Sequence, residues 1–259
     1  MLDSLFIGAT GMQAQQIQVD VISNNLANVS TAGFKKNRVS FEDLLYRSIA
    51  RTNGLAGDTQ NVSRLGVGAA VAATGKIFTD GDLKETDAPL DLAIQGAGFI
   101  EVNLPDGSSA YTRAGSLQVN SDGLLTTNDG DLLRPDLHIP VDATAIAIDK
   151  TGKVTATVPN ESAPVEVGQI ELARFVNPGG LNPIGKNLYA STDQSGEPIR
   201  GKPGDPGFGT LSQGFLESAN VKLIEEMVNL VVAQRAYEVN SKVVQAADEM
   251  LGLSNNLRR

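Results

Sequence analysis

The sequence predicts a multi-part α+β protein, on three observations. Apolar residues recur at helical spacing near both chain ends, short segments with turn signals fill the middle, and a small-residue stretch lies between. We therefore expect N- and C-terminal helices paired as a coiled-coil-like helical domain, an antiparallel all-β middle domain and an extended arm. The predicted bounds are residues 1–35 plus 216–259 for the helical assembly domain, 36–75 for the arm and 76–215 for the β domain.

The first helix is predicted from apolar residues that follow steps of three and four, with one three-residue shift at Val19–Ile22. Gly8 and Gly11 each lower helix propensity by about 1 kcal/mol relative to alanine, so this helix is weak on its own. It ends in the polar stretch SNNLANVSTAGFKK, residues 23–36. The residues expected to form its subunit-assembly stripe are Leu2, Leu5, Met12, Val19, Ile22 and Leu26.

Residues 36–75 predict an extended arm. The segment LLYRSIAR, residues 44–51, has a short helical pattern, and the chain then becomes rich in glycine, alanine and polar residues. We expect one hairpin at most, held by neighbouring parts of the protein because the segment has few core-forming side chains.

The middle of the chain predicts antiparallel strands of sandwich or barrel type. Asp-Gly pairs at 80–81, 106–107, 122–123 and 129–130 are candidate hairpin turns. The segment AIAIDKTGKVTATV predicts a further hairpin, and VGQIELARFV predicts a single strand.

The C-terminal segment predicts a long helix, because no proline or glycine interrupts it between Glu217 and Leu251. A second stripe beside its main apolar stripe makes the apolar face wide. Such a helix can pack on its own domain, but a face of this width favours several partners and hence self-assembly. The main stripe comprises Val221, Ile224, Val228, Val232, Val239, Val243 and Met250, and the second comprises Leu223, Met227, Leu230, Tyr237, Val244 and Leu251.

Composition and motifs argue against an enzyme, a cofactor or a metal site. The formal net charge is −9 with scattered basic residues, which disfavours nucleic acid as a partner. The chain has no cysteine, and its single histidine, His138, is expected to be an ordinary loop or strand-edge residue. The acidic stretch at 80–87 fits a solvated turn better than a cation site, and the motifs of common nucleotide- and metal-binding sites are absent. We expect no catalytic residue and no small-molecule substrate.

Two long motifs resemble those of the flagellar basal-body rod and hook protein family. They are SNNLANVSTAGFKK near the amino end and GFLESANVKLIEEMVNLVVAQRAYEVNSKVVQAADEML near the carboxyl end. The middle segments DLAIQGAGFIEV and GKNLY are also similar to the β domain of that family. Within the family, the length favours distal rod proteins, with proximal rod proteins of similar length as the alternative.

This resemblance implies a structural subunit that stacks helically into a hollow rod crossing the periplasm and transmits torque to the hook. Its implied partners are copies of itself, other rod proteins, the hook protein, the surrounding ring proteins and the flagellar type III export apparatus. Export without a Sec signal peptide agrees with the start MLDSLFIGATGMQAQQ, which has no cationic region before an apolar core. A non-flagellar secreted β-domain binding module with a helical stalk is the alternative from another class of protein.

The polar stretch after the first helix then has a predicted role as a helix-exit signature. In a tube of packed helices, Asn24, Asn25 and Asn28 would satisfy backbone and side-chain groups where the helix stops. Gly33, followed by Phe34, would permit the chain to bend because glycine readily takes positive φ.

Overall fold

The computed structural model describes the backbone of residues 2–50, 62–159 and 163–256, with all their side chains except those of residues 2, 47–50, 62–65 and 254–256. The chain forms two compact units. The helical unit comprises residues 1–27, 37–75 and 222–259, and the β unit comprises 28–36 and 76–221. The structure therefore groups the predicted arm with the helices, and it groups the residues after the first helix with the strands.

The helical unit contains both predicted helices and four strands. The helices are in contact, and β1 lies against α1. Strand β1 pairs with β4, and β2 pairs antiparallel with β3 from Tyr46–Gly66 to Ala50–Val62. The bounds are α1 Leu2–Ala27, β1 Asn37–Asp43, β2 Tyr46–Ala50, β3 Val62–Gly66, β4 Ala69–Lys76 and α2 Leu223–Asn256.

The described part of the arm is extended, with β1 paired to β4 and β2 paired to β3. The short helical pattern noted at residues 44–51 does not give a helix, since Tyr46–Ala50 form strand β2. Backbone pairing of β2 with β3 outweighs a helical preference that only two turns of sequence could support. The part of the arm at residues 51–61 lies outside the described residues. No helix in the described ranges combines the length and the apolar character needed to cross a membrane.

The β unit is built around strand β7, which pairs with β8, β11 and β15. These strands belong to a nine-stranded sheet whose main order is β16-β17-β8-β7-β11-β10-β9, with β18 attached through β15. A three-stranded sheet β12-β13-β14 and the pairs β19-β6 and β20-β5 complete the unit.

The strands of the β unit are short. Their bounds are β5 Leu83–Glu85, β6 Leu92–Gln95, β7 Phe99–Asn103, β8 Ser109–Thr112, β9 Leu117–Val119, β10 Leu125–Thr127, β11 Leu132–Leu133, β12 Ala145–Ile148, β13 Lys153–Thr157, β14 Val165–Gln169, β15 Leu172–Arg174, β16 Asn182–Gly185, β17 Leu188–Ala190, β18 Ile199–Gly201, β19 Thr210–Gln213 and β20 Phe215–Glu217. A short 3₁₀ helix covers Pro178–Gly180.

Three of the four predicted Asp-Gly turns join paired antiparallel strands. Gly107, Gly123 and Gly130 have φ between +81° and +92° and link β7 to β8, β9 to β10 and β10 to β11. The fourth prediction, at residues 80–81, is wrong, because this pair lies between β4 and β5, which do not pair with each other. The backbone N–H of Gly81 instead donates to the Glu217 carboxylate at 2.8 Å.

The other two strand predictions have different outcomes. AIAIDKTGKVTATV forms the antiparallel pair β12-β13, as predicted. The single strand predicted for VGQIELARFV is two strands, because β14 pairs with β13 whereas β15 pairs with β7 and β18. One continuous segment thus serves two sheets. The sequence therefore predicts the α+β class correctly but does not show where a strand changes partners.

The core of the β unit consists of an aliphatic cluster and an aromatic cluster. The aliphatic cluster includes Ile100, Val154 and Leu172, which are fully buried. In the aromatic cluster Phe99 makes edge-to-face contacts with Phe78 and Phe175 at centroid distances of 5.4 and 5.8 Å. Burial of these side chains stabilises the unit.

Replacing Ile100 with alanine should destabilise the β unit by about 2–5 kcal/mol, since it removes a fully buried side chain and leaves a cavity. Ile184→Ala is the matched control, because Ile184 is exposed and its loss should change stability by less than about 0.5 kcal/mol. The measurement is urea denaturation followed by the fluorescence of Tyr111 and Tyr189, both buried in this unit. Equal effects of the two substitutions would contradict the assigned core.

Candidate assembly surfaces

The two terminal helices pack antiparallel through small residues of α1. A Cβ built on Gly8 would lie 2.7 Å from Cγ2 of Val244, and one built on Gly11 would lie 3.0 Å from Nδ2 of Asn240. Because the partner number falls as the position on α1 rises, the helices run in opposite directions. The glycines that weaken α1 in isolation thus permit its close approach to α2.

The face of α2 that meets α1 follows a heptad pattern of small, polar and aliphatic residues. Asn25 of α1 is buried, and its Nδ2 donates to Oε2 of Glu226 at 3.3 Å, so Glu226 lies on this face with Val244 and Asn240. Positions that continue these steps of four and three share the face. They are Glu226, Leu230, Ala233, Tyr237, Asn240, Val244, Ala247 and Leu251.

The main stripe predicted for α2 lies on the other side of the helix, where it is exposed. We call its six helical residues the α2 stripe, and their exposed fractions run from 44% to 78%. Val231 and Leu253 extend the same exposed surface. Exposed apolar patches on folded proteins are typical of interaction sites. The α2 stripe comprises Ile224, Val228, Val232, Val239, Val243 and Met250.

Val221 does not belong to the α2 stripe, which corrects the prediction that it lies on the C-terminal helix. The helix begins at Leu223, and Val221 is buried within the β unit. The neighbouring Asn220 accepts from the Lys36 N–H at 2.7 Å and donates to the Ile77 carbonyl at 2.8 Å. These bonds hold the segment in the β unit and prevent the helix from starting earlier.

The predicted stripe of α1 is divided between buried and half-buried positions. Ile22 is buried, whereas Leu5, Met12, Val19 and Leu26 are half-buried. The side chain of Leu2 lies outside the described residues. Phe6, which the sequence did not single out, is half exposed on the same helix.

Asn25 of the predicted helix-exit signature bridges α1 and β1. Its Oδ1 accepts from the Asn37 N–H at 2.8 Å, and its Nδ2 donates to the Asn37 carbonyl at 3.0 Å. Asn24 is exposed, and its Oδ1 accepts from Nδ2 of Asn37 at 3.3 Å. The buried Asn25 amide thus forms hydrogen bonds with both backbone groups of Asn37, the first residue of β1.

The rest of the signature lies in the β unit. Oδ1 of Asn28 accepts from the Thr31 hydroxyl at 3.2 Å. Gly33 has a φ of +71°, and a Cβ there would lie 2.7 Å from backbone atoms of Arg113. Phe34 is buried, and the Lys76 ammonium lies 4.6 Å from its ring centroid. Gly33 is therefore required both by its conformation and by the close approach of the backbone that follows β8.

A buried ionic cluster follows the signature, and the sequence did not predict it. Lys35 Nζ lies 2.6 Å from Oε1 of Glu217, and Arg113 Nη1 lies 3.1 Å from Oε2 of the same carboxylate. Arg113 Nη1 also lies 3.0 Å from Oδ1 of Asp80, whose side chain is 55% exposed. We call these four residues the Glu217 cluster. A possible signal was that Lys35 and Glu217 each lie inside one of the two terminal motifs.

The Glu217 cluster satisfies charges that burial would otherwise penalise. Burial lowers the pKa of the Lys35 ammonium, the charge of Arg113 lowers it further, and the Glu217 carboxylate opposes both effects. Lys35 also donates to the Thr79 carbonyl at 2.6 Å, and the Gly33 N–H donates to the Glu217 carbonyl at 2.7 Å. The cluster therefore joins the segment that enters the β unit to the segment that leaves it.

Within the described part of the chain, no group of three or more His, Cys, Asp or Glu residues could hold a metal ion. His138 is exposed and forms an isolated bridge with Leu124.

Comparison with protein families matches both chain ends and the middle. Residues 5–35 match the family described as flagella basal body rod protein, and residues 212–257 match the family described as flagellar basal body rod FlgEFG protein C-terminal. Residues 93–156 match the family described as flagellar hook protein FlgE/F/G D1 domain.

The full-length relatives decide the family. The flagellar basal-body rod protein FlgG of Borreliella burgdorferi is 46% identical over 266 residues and covers 100% of both chains. The chain belongs to the FlgG family of flagellar basal-body rod proteins. FlgG of Bacillus subtilis is 40% identical, again over 100% of both chains. The hook-basal body complex protein FlhP of the same organism is 30% identical over 100% of both chains. FlgG is the distal rod protein, so these comparisons favour the distal over the proximal rod class.

Replacing Glu217 with glutamine should destabilise the β unit by about 3–5 kcal/mol, because two buried cations lose their full charge partner. Asp80→Asn is the control, and this substitution should lower the free energy of unfolding by at most about 1 kcal/mol, since the Asp80 side chain is largely solvated. Urea denaturation followed by tyrosine fluorescence measures both. The double variant Lys35→Met/Glu217→Gln should lose less stability than the sum of its single variants; strict additivity would contradict the cluster.

Replacing Asn25 with leucine should loosen the start of β1, because the Asn37 N–H and carbonyl would lose their partners at a cost of about 1–3 kcal/mol. Asn24→Leu is the control, since Asn24 is exposed and its Oδ1 accepts from the Asn37 side chain. Hydrogen exchange at the Asn37 amide should accelerate in the first variant alone, with the β unit unchanged. Unaltered protection of that amide in Asn25→Leu would count against the bridge.

Proposed function

We propose that this protein is a structural subunit of the flagellar distal rod that polymerises helically through the α2 stripe. The family supports the rod assignment, and the exposure of the stripe is the single observation that supports the mode of assembly. One face of α2 is already occupied by α1, so the stripe is available to helices of neighbouring copies. In the polymer, Leu5, Met12, Val19 and Leu26 of α1 supply further half-buried apolar surface.

The energetics favour a polymer with several contacts per subunit. Burying the exposed part of one stripe side chain contributes about 1 kcal/mol, and association costs roughly 4–15 kcal/mol in lost freedom. One stripe side chain therefore cannot hold two copies together. The six residues of the stripe, acting with surfaces on more than one neighbour, can offset that cost.

The setting of this polymer is also part of the proposal. The rod crosses the periplasm as a hollow shaft and transmits torque from the motor to the hook, with other rod proteins, the hook protein and the ring proteins as partners. The subunit reaches it through the flagellar type III export apparatus. The absence of cysteine suits this route, because a chain without cysteine cannot form premature disulfides when it enters the oxidising periplasm.

The alternatives from the sequence are not favoured. The full-length relatives are named as rod proteins, which argues against a secreted binding module with a helical stalk. The names of these relatives thus support the proposal of a structural component.

Replacing Val239 with aspartate should abolish polymerisation and leave the monomer folded, because it places a charge in the centre of the α2 stripe. Gln245→Asp is the matched control, since Gln245 is exposed on the same helix but outside the stripe. Sedimentation and electron microscopy of concentrated full-length protein measure the polymer, and circular dichroism checks the fold. Normal polymers from Val239→Asp, or equal loss in the control, would contradict assembly through the stripe.

A further inference from the structure

A pocket on the β unit is lined by an arginine, Arg174, whose Nε has no hydrogen-bond partner. Phe78, Phe99 and Phe175 line the pocket together with Arg113 and Arg174. Arg113 is saturated, because it binds Asp80, Glu217 and the carbonyls of Gly96 and Gly98. The Nε of Arg174 is buried and has no hydrogen-bond partner.

Arg174 also lacks a compensating carboxylate. Its guanidinium lies 5.7 Å from the ring centroid of Phe208, a cation–π contact that satisfies none of its N–H donors. Across the pocket and the adjoining Glu217 cluster, the cations Lys35, Arg113 and Arg174 face the carboxylates of Asp80 and Glu217. One positive charge is therefore in excess, and a carboxylate is the group that a guanidinium binds best.

An exposed apolar residue directly follows a residue that lines the pocket. Val176 is 82% exposed and lies in sequence between Phe175 and Pro178, which both line the pocket. A fitting occupant therefore carries a carboxylate beside an apolar side chain. The carboxylate would meet Arg174, and the apolar group would meet Val176 and the aromatic wall.

The same chain presents such a pair of residues. Val141 is 86% exposed, and Asp142 beside it is exposed as well. The Ala143 N–H donates to the Pro140 carbonyl at 3.0 Å, which closes the turn that carries them. Val141 and Val176 are the two most exposed large apolar side chains among the described residues. Isolated exposed valines are ordinary, but here one adjoins an unpaired cation and the other adjoins an acid.

We propose that the Arg174 pocket of one copy receives the Val141–Asp142 turn of the next copy in the polymer. This inference rests on the proposed function, because it adds a contact between β units to assembly through the α2 stripe. The two patches differ, so the contact is heterologous and extends a polymer without closing a dimer. Charge complementarity is its physical basis, since Asp142 supplies the carboxylate that Arg174 lacks.

Disulfide cross-linking tests the contact directly, because the chain contains no cysteine that would confuse the result. Full-length Val141→Cys and Val176→Cys proteins are mixed under polymerising conditions and oxidised. We expect a covalent heterodimer in the mixture, no such product from either protein alone, and a ladder of multimers from the double variant. Val119→Cys replaces Val141→Cys in the control, since Val119 is also exposed on the β unit.

Charge exchange tests the chemistry of the same contact. Arg174→Glu in the Val176→Cys protein should lower the yield of cross-linked product about tenfold, and Arg174→Lys should lower it less. Introducing Asp142→Arg into the Val141→Cys partner should restore the yield with Arg174→Glu. With an unaltered Arg174, the Asp142→Arg variant should lower the yield of cross-linked product as much as Arg174→Glu does alone. Because Asp142 is exposed, this variant tests the contact even where Arg174→Glu impairs folding.

The outcomes separate this inference from the function on which it rests. Polymers seen by electron microscopy without the Val141–Val176 cross-link would overturn the pocket contact and leave the rod assignment intact. A cross-link of equal yield with Val119→Cys would overturn it too. Absence of any polymer would count against the proposed assembly and, with it, against this contact.

Discussion

The β unit depends on one buried carboxylate. Glu217 accepts contacts from Lys35, Arg113 and the Gly81 N–H, and its own carbonyl accepts from Gly33. Residues from distant parts of the sequence therefore converge on a single side chain that is almost inaccessible to water. Burial of the Glu217 carboxylate is costly unless all of its partners are present. The carboxylate therefore specifies one arrangement of the two segments through which the chain enters and leaves the β unit.

The helical unit follows a different rule, in which α2 uses its two sides for different purposes. Small residues on α1 allow the helices to pack closely, and Asn25 with Glu226 adds a buried polar contact at the end of the pair. The opposite side of α2 carries β-branched and aliphatic residues with no partner in the described chain. Intramolecular packing thus uses the less apolar face, and the more apolar face remains for other molecules.

The sequence reveals periodic features well and convergent features poorly. Helical spacing predicts both helices, and Asp-Gly pairs predict three hairpins, because each signal is local. The strand change between β14 and β15 depends on which partners lie nearby, which no local pattern records. Likewise, Lys35 and Glu217 are far apart in sequence, so their ion pair emerges only in three dimensions. Helical spacing also locates the apolar stripe of α2, apart from Val221, which precedes the helix. The exposure of the stripe and the close approach of α2 to Gly8 and Gly11 are visible only in the structure.

The exposed α2 stripe has a consequence for the life of the subunit before it joins a polymer. A free subunit exposes these apolar side chains to water, and exposed apolar surface promotes non-specific aggregation at high protein concentration. We therefore expect newly made subunits to be kept at low concentration, unfolded or bound to a chaperone until they can assemble. In the proposed assembly, the surface that joins subunits is therefore also the surface through which unassembled subunits would aggregate.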